Sequence, residues 1–491
     1  VIVGVGQVND RPDRPEDGLH SGELMVAALE RADRDAGHGW LSDVESLAIV
    51  RQISFPDLDP LDGWVADRCK MKGAAHFQSE KPHGDMPVRL LSEAANAIGS
   101  GQVRIAAIAG GEALRTAATL ARQAKEGGHH TSNALGDLAA KAKPSYPSRY
   151  GLRLPIDVYP LYENALRANW GQSLAEAQDE TGRIWSAMSR IAAANDAAWL
   201  GQALEPSEIC QPGERNPPIA HPYTKLMVAN ASVNQGAAFL VASLAEARRR
   251  GVPDKRLVHV GHGAGASAPE RYLERPSFDR LPSMEIALTQ TLRRNGMTSA
   301  DLAHAELYSC FPCVPKLAAR IIDWPLDRDM TVFGGLTFGG GPIANYMSHA
   351  VAEMAVRLRG TREKGLLYGN GGYATDHHAL VLSGDALPGC SFPQEFDCQS
   401  MADAALGEAP ILRRDYEGPA KIETYTVFYG RDQKARGGVI VARKGEARTL
   451  AAVRPGDAAL MAFLTDGLCE PVGASGTVAA DGDGLSYWIA K

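Results

Sequence analysis

No apolar run in this sequence reaches the roughly 18 residues that a membrane-spanning helix needs, so a bilayer span is excluded. Long basic runs are also missing. With a formal net charge of -7 and a pI near 6.0, nucleic acid or an anionic membrane is a poor main partner. Cysteine is scarce: seven in 491 residues, at Cys69, Cys210, Cys310, Cys313, Cys390, Cys398 and Cys469, form no disulfide framework and fit a reducing cytoplasm. Cys310 and Cys313 have C-x-x-C spacing, yet a structural zinc needs a second pair, and only the wider-spaced Cys390 and Cys398 offer one. Pro315 and the preceding LYSCF do not match a thioredoxin-type setting either, so neither metal nor redox chemistry is expected. The sequence also lacks an initiator Met and opens on the strand-like VIVGVGQV, which points to a few missing residues rather than a cleaved signal peptide.

What the chain does contain, at 45% apolar content, is enough to bury two or three cores. Residues 1–8 read as a buried-type strand ending in a GxG turn. Residues 21–36 read as an amphipathic helix with Leu24, Ala28 and Ala32 on one face. A strand at 43–50 and a small-residue-rich helix at 87–98 follow, then a continuous apolar run at 103–109, VRIAAIA, expected as a central parallel strand. From about 120 to 222 the strands disappear and one long helical stretch, 171–198, sits among Lys, His, Tyr and Pro, as in an insertion that covers a site. The rhythm resumes with strands near 227–240, 256–260, 305–311, 366–368 and 379–382 and helices at 283–295, 314–322 and 345–357. This repeats the first half, so the expected class is α/β with two βαβαβ halves in a layered core, 1–240 and 241–387.

Beyond residue 388 the pattern is antiparallel. Strands at 421–430, 438–443 and 448–453, a helix at 455–464, and strands at 472–480 and 485–490 follow the order of a five-stranded OB barrel, spanning about 395–491. Any other small β-barrel or sandwich stays open. From 421 to 491 nine Lys and Arg stand against eight Asp and Glu, which is not the basic groove of a single-strand binder.

Residues 331–349, TVFGGLTFGGGPIANYMSH, place five glycines and a proline within nine positions, a backbone able to adopt positive φ and admit a close neighbour. The apolar run from Leu307 and the glycine turn 369–372 flank it, so three segments are expected to converge on one pocket. Two other glycine signals, Gly4-Val5-Gly6 and the 261–265 run GHGAG, follow strands but do not complete a dinucleotide fingerprint.

Several segments carry a family resemblance. MPVRLLSEAANAIGSGQVRIAAIAGGEAL at 86–114, Asn230-Ala231-Ser232, Gln235-Gly236-Ala237-Ala238, ELYSCF at 306–311, the glycine loop, and Tyr368-Gly369-Asn370-Gly371-Gly372 resemble, in order, motifs of the thiolase superfamily. The resemblance covers roughly residues 1–385 and implies the duplicated thiolase fold and, by family, acetyl-CoA acetyltransferase chemistry.

The catalytic groups that the resemblance calls for are replaced. The nucleophilic cysteine's position is Gly84, the histidine before the motif proline is Gly341, the second cysteine's position is Tyr368, and the Asn-Glu pair falls on Val314 and Pro315. The chain thus resembles thiolase-like proteins of type 1 kind, which keep the fold without the tetrad. Candidate replacements are Tyr308, Tyr346, His83 and His349, with Cys310, Gly339, Gly340, Asn370 and Gly371 as substrate-binding positions. Each has a structural alternative: a strand tyrosine, a packing histidine, an inert buried thiol, turn glycines. The resemblance implies an acyl-CoA-like thioester as ligand, no other cofactor, and a homodimer. Non-thiolytic binding leads. Retro-aldol cleavage of a β-hydroxyacyl-CoA and scaffolding of a lipid-metabolism enzyme are the alternatives, and the barrel is expected to pack on the body.

Overall fold

The computed structural model describes residues 1–126, 145–482 and 484–490; residues 127–144 near the start of the inserted stretch, Asp483 of the expected 481–484 turn and Lys491 lie outside the described residues. Strands Ile2–Asn9, Asn234–Ala242, Ile105–Ala113, Ser46–Ile49 and Ala75–Gln78 lie side by side in that order in one sheet. A second sheet runs His259–Ser267, Asp376–Ser383, Lys364–Gly371, His304–Leu307. Counted from the first strand of each, the neighbour relations repeat as antiparallel, antiparallel, parallel. The duplication read from the sequence is therefore present over four strands of each sheet, with Ala75–Gln78 as an added strand at the edge of the first.

Helix Ser21–Asp35 covers the outer face of the first sheet and helix Pro282–Arg294 that of the second, while Met86–Gly99 and Tyr346–Leu358 lie between them. Small residues make this layering tight. Gly4 and Gly6 sit inside the first strand, not in a turn as expected, because an added Cβ would strike the backbone of Ala32 or Ala28 in the covering helix. Gly261, Gly263 and Gly265 likewise belong to a strand rather than to a connection. The 103–109 run is central as expected, but one of its two neighbours is antiparallel, so the sheet is mixed. In the described part of 120–222, helices Pro155–Asn169 and Leu174–Ala193 dominate, yet two short strands, Pro218–Ala220 and Tyr223–Thr224, appear where none was expected.

The C-terminal strands close into a barrel. Gly418–Tyr429 pairs with Ala435–Lys444, that with Ala447–Val453, that with Ser486–Ala490, that with Ser475–Ala480, which returns to the first; helix Ala458–Thr465 lies between the third and fourth strands in sequence. Ile422, Tyr425, Val427, Ile440, Val453, Leu464 and Trp488 fill its core, the alternation of the first strand sending Tyr425 inward. No helix among the described residues is long and apolar enough to cross a membrane.

The barrel is fastened to the body by buried polar contacts. Arg448, on the barrel's third strand, is fully buried; its guanidinium donates to the carbonyls of Leu273 (2.7 Å), Arg275 (2.6 Å) and Pro276 (3.1 Å) and pairs with Glu423. Asn164 donates to the Tyr425 carbonyl at 3.0 Å and Thr424 to that of Leu161 at 2.5 Å, joining helix Pro155–Asn169 to the first barrel strand. Truncating Arg448 leaves Glu423 and three carbonyls without their donor, so Arg448→Ala is expected to lower stability by about 3–5 kcal/mol. Denaturant unfolding followed at Trp488 checks this, with loss of docking read as a separate barrel transition.

Candidate functional site

The three expected segments do converge. The parallel pairing of Lys364–Gly371 with His304–Leu307 places Tyr308 beside Tyr368, and the hairpin turn after Gly371 brings the 369–372 glycines against the N-terminus of helix Met86–Gly99. Here the absence of a side chain at Gly84 is structural. A Cβ there would collide with the Tyr308 hydroxyl and come within 2.5 Å of the Asn370 carbonyl oxygen. Tyr308 therefore fills the volume that a nucleophilic side chain at position 84 would require.

Tyr308 is 6% exposed, its ring edge-on to Tyr346 at 5.9 Å, and its hydroxyl has no hydrogen-bond partner among the described residues. Burial holds the phenol well above its ordinary pKa of 10.0, with the neighbouring Cys310 and Asp85 adding to the effect. It is thus a neutral donor rather than a base. Tyr346 is committed elsewhere: it donates to Glu306 at 2.9 Å. That carboxyl also accepts from Thr331 Oγ1 at 2.8 Å and the Val332 N–H at 3.0 Å; burial nevertheless pushes it up to about 7.

The glycine loop is held by protein groups throughout. Thr331 Oγ1 accepts from the Gly334 N–H (2.9 Å), Ser309 Oγ from Leu336 (3.1 Å), and Gln235 donates to the Gly339 carbonyl (2.9 Å). Gly340 has φ +105° with Gln235 pressed against it, which only glycine tolerates. Gly341, at the lost histidine's position, donates its N–H to the Asn230 carbonyl at 2.8 Å. Tyr368, at the second cysteine's position, is bound to His377 Nδ1 at 2.7 Å.

Cys310 lies next to Asn370 Nδ2 (3.6 Å), which also donates to the Tyr159 hydroxyl at 2.9 Å; burial raises the thiol to about 12. His349 is fully buried with Nδ1 on Gln7 Oε1 at 2.8 Å and its ring stacked on Phe333. These contacts are those of a packing residue, and burial depresses its pKa to about 3.

His83 stands at the site's rim, its Nδ1 2.6 Å from Asp376 Oδ2, and Ser267 donates to Asp376 Oδ1 at 2.7 Å. Burial alone would raise the Asp376 carboxyl, but these two bonds outweigh it and hold the group below its ordinary range. Asp85, next to Gly84, is 2% exposed, and burial together with the Asp376 charge raises it to about 6. His83, Asp85 and Asp376 are the one group among the described residues that could hold a metal ion. Sequence reading missed Asp85, Asp376, Glu306 and Tyr159. Asp85 had a signal: an acidic residue at a helix start, immediately before the segment matched by motif at 86–114. Clefts of about 580 Å³ along Gln7, Asn195 and Arg357 and about 290 Å³ along Arg183, Arg190 and Arg328 are lined by none of the candidates.

Residues 397–483 match the family model for the thiolase-like protein type 1 additional C-terminal domain. The whole chain is similar to a monomeric SCP2-thiolase-like protein type 1 from Mycobacterium smegmatis, at 28% identity and TM-score 0.82, covering 100% of this chain and 98% of that one. An Ltp2-ChsH2(DUF35) aldolase matches at 18% identity and TM-score 0.58 over 78% of this chain and 97% of its own. The acetyl-CoA acetyltransferase of Syntrophomonas wolfei matches at 12% identity and TM-score 0.57 over 79% and 99%. No curated protein matches the sequence. The fold of residues before the barrel is thus the thiolase fold, and the resemblance to thiolase-like protein type 1 holds.

Two outcomes follow from the packing. Gly84→Ala is expected to cost about 1–3 kcal/mol by overpacking against Tyr308, and the double variant with Tyr308→Ala to recover part of that loss, a coupling read from a double-mutant cycle. His349 has a folded pKa of about 3 against an ordinary 6.5, so its contribution is intact above pH 6.5 and lost as pH falls toward 3. His349→Phe should flatten the decline in melting temperature between pH 6.5 and 5 relative to the parent chain.

Proposed function

We propose that this chain is a thiolase-fold protein that binds an acyl-CoA-like thioester and neither thiolyses nor condenses it. The observation that carries the reading is Tyr308 lying in the volume of a side chain at Gly84. Acyl transfer in this fold needs a nucleophile at the helix N-terminus, and here the ring leaves it no room. What remains is an unbonded phenol, held neutral by burial, that suits hydrogen bonding to a thioester carbonyl oxygen. The ligand class rests on fold similarity, including to a human mitochondrial 3-ketoacyl-CoA thiolase solved with CoA, 14% identical with a TM-score of 0.57 over 78% of this chain and 98% of that one.

A second reading, retro-aldol cleavage of a β-hydroxyacyl-CoA, is favoured by the same unbonded hydroxyl, which would polarise the carbonyl while another group removes the hydroxyl proton. Seven free cysteines support a reducing, cytoplasmic setting. Full-length similarity to a protein described as monomeric supports a single chain in place of the homodimer. The near-neutral barrel supports no nucleic-acid role.

With acetoacetyl-CoA and free CoA, no acetyl-CoA should form, and calorimetry with an acyl-CoA should show binding that Tyr308→Phe weakens about three- to tenfold, the worth of one hydrogen bond. Thiolysis abolished by mutation of the site overturns the first reading. Release of an aldehyde from a β-hydroxyacyl-CoA, sensitive to Tyr308→Phe, selects the second.

A further inference from the structure

We propose that His83, Asp85 and Asp376 form a binding site for a divalent first-row metal ion, of zinc or manganese type, at the N-terminus of helix Met86–Gly99. This does not rest on the thioester reading. One ring nitrogen of His83 and one carboxylate oxygen each from Asp85 and Asp376 lie within 4.8 Å of one another. Atoms bonded to one ion at ordinary lengths of about 2.0–2.2 Å lie no more than about 4.4 Å apart, so binding draws the three together by at most a few tenths of an ångström.

A second observation points to a ligand. Asp85 is 2% exposed, its Oδ1 has no hydrogen-bond partner, and the side chain caps none of the N–H groups of the helix it precedes. A buried carboxylate oxygen left bare costs the full desolvation of the group. Around this residue the backbone has been cleared: a Cβ on Gly371 would lie 2.6 Å from Asp85 Oδ1, and one on Gly369 2.7 Å from the Asp85 Cα. Gly371 therefore makes room for a buried carboxylate whose Oδ1 no protein group satisfies.

The other two members are already oriented. Ser267 donates to Asp376 Oδ1, leaving Oδ2 on His83, and the side chains of His83 and Asp376 are 21% and 18% exposed, which opens the cluster to solvent on one side. An ion entering there displaces the proton shared between His83 Nδ1 and Asp376 Oδ2 and completes its shell with water. One imidazole and two carboxylates suit zinc and manganese better than magnesium or calcium, which favour oxygen alone.

The test uses the full chain, stripped with chelator and dialysed against Zn²⁺, Mn²⁺ or Co²⁺ alone. One equivalent of metal should be retained, and Co²⁺ should give a visible d–d band that His83→Gln shifts. Asp85→Asn, nearly isosteric and relieved of a buried charge, should keep the metal-free melting temperature and weaken binding at least tenfold. Failure of the full chain to retain metal at micromolar concentrations overturns the proposal, as does retention unchanged in both Asp85→Asn and His83→Gln. Should Asp85→Asn fail to fold, the His83→Gln band decides alone.

Discussion

Two buried guanidinium groups hold the parts of this molecule in one arrangement. Arg275, 2% exposed, donates to the Tyr162 hydroxyl, the carbonyls of Tyr373, Ala374 and Pro269, and Thr375 Oγ1, each at 2.8–2.9 Å. Its own carbonyl accepts from Arg448 of the barrel. Between them these two side chains join helix Pro155–Asn169, the turn after Gly371, the loop before helix Pro282–Arg294, and the barrel. A cation in a low-dielectric interior persists only when its donors are nearly all used, so the arrangement tolerates little relative movement. The glycine turn that borders the site is thereby set from the direction of the barrel, in a chain whose barrel follows the body in sequence.

Within that frame the site keeps the backbone of the thiolase fold but carries other side chains. The helix N-terminus that in an acyl transferase would favour a thiolate here faces Tyr308, with a carboxylate one residue further on. That dipole favours Asp85 as an anion, while burial and Asp376 oppose it. Glu306 plays the equivalent structural part across the site, organising Thr331 and the start of the glycine loop through four hydrogen bonds. Much of the loop's backbone thus has protein partners, among them the Gly334, Leu336 and Gly341 amides and the Phe338 and Gly339 carbonyls.

Much of the fold was legible because its elements are strongly periodic. The strands at Ile2–Asn9, Ser46–Ile49 and Ile105–Ala113, the helices Ser21–Asp35 and Met86–Gly99, the repeat between halves, and the helix between the barrel's third and fourth strands all follow from apolar spacing and glycine punctuation, whereas strand Ala75–Gln78 and the short strands near 218–224 did not. Gly4, Gly6 and the 261–265 glycines misled because a glycine in a turn and a glycine under a closely packed helix look alike in sequence; only the distance to Ala32 or Ala28 separates them. Gly84 and Tyr368 could be placed by motif, but their reasons could not. That Tyr308 occupies the space over Gly84, that Tyr368 turns to His377, and that Asp376 meets His83 across 293 residues are facts of three-dimensional proximity. His349 and Cys310 looked chemical by residue type, and burial shifts both away from their ordinary titration, the imidazole down and the thiol up.

The exclusion between Gly84 and Tyr308 also constrains how this sequence can change. A cysteine regained at position 84 while the ring stands opposite meets a collision, and a ring lost first leaves a cavity lined by Asn370 and Tyr346. Either order of two substitutions passes through a less stable intermediate. Positions 84 and 308 are therefore coupled: the side chain at one sets the volume left at the other.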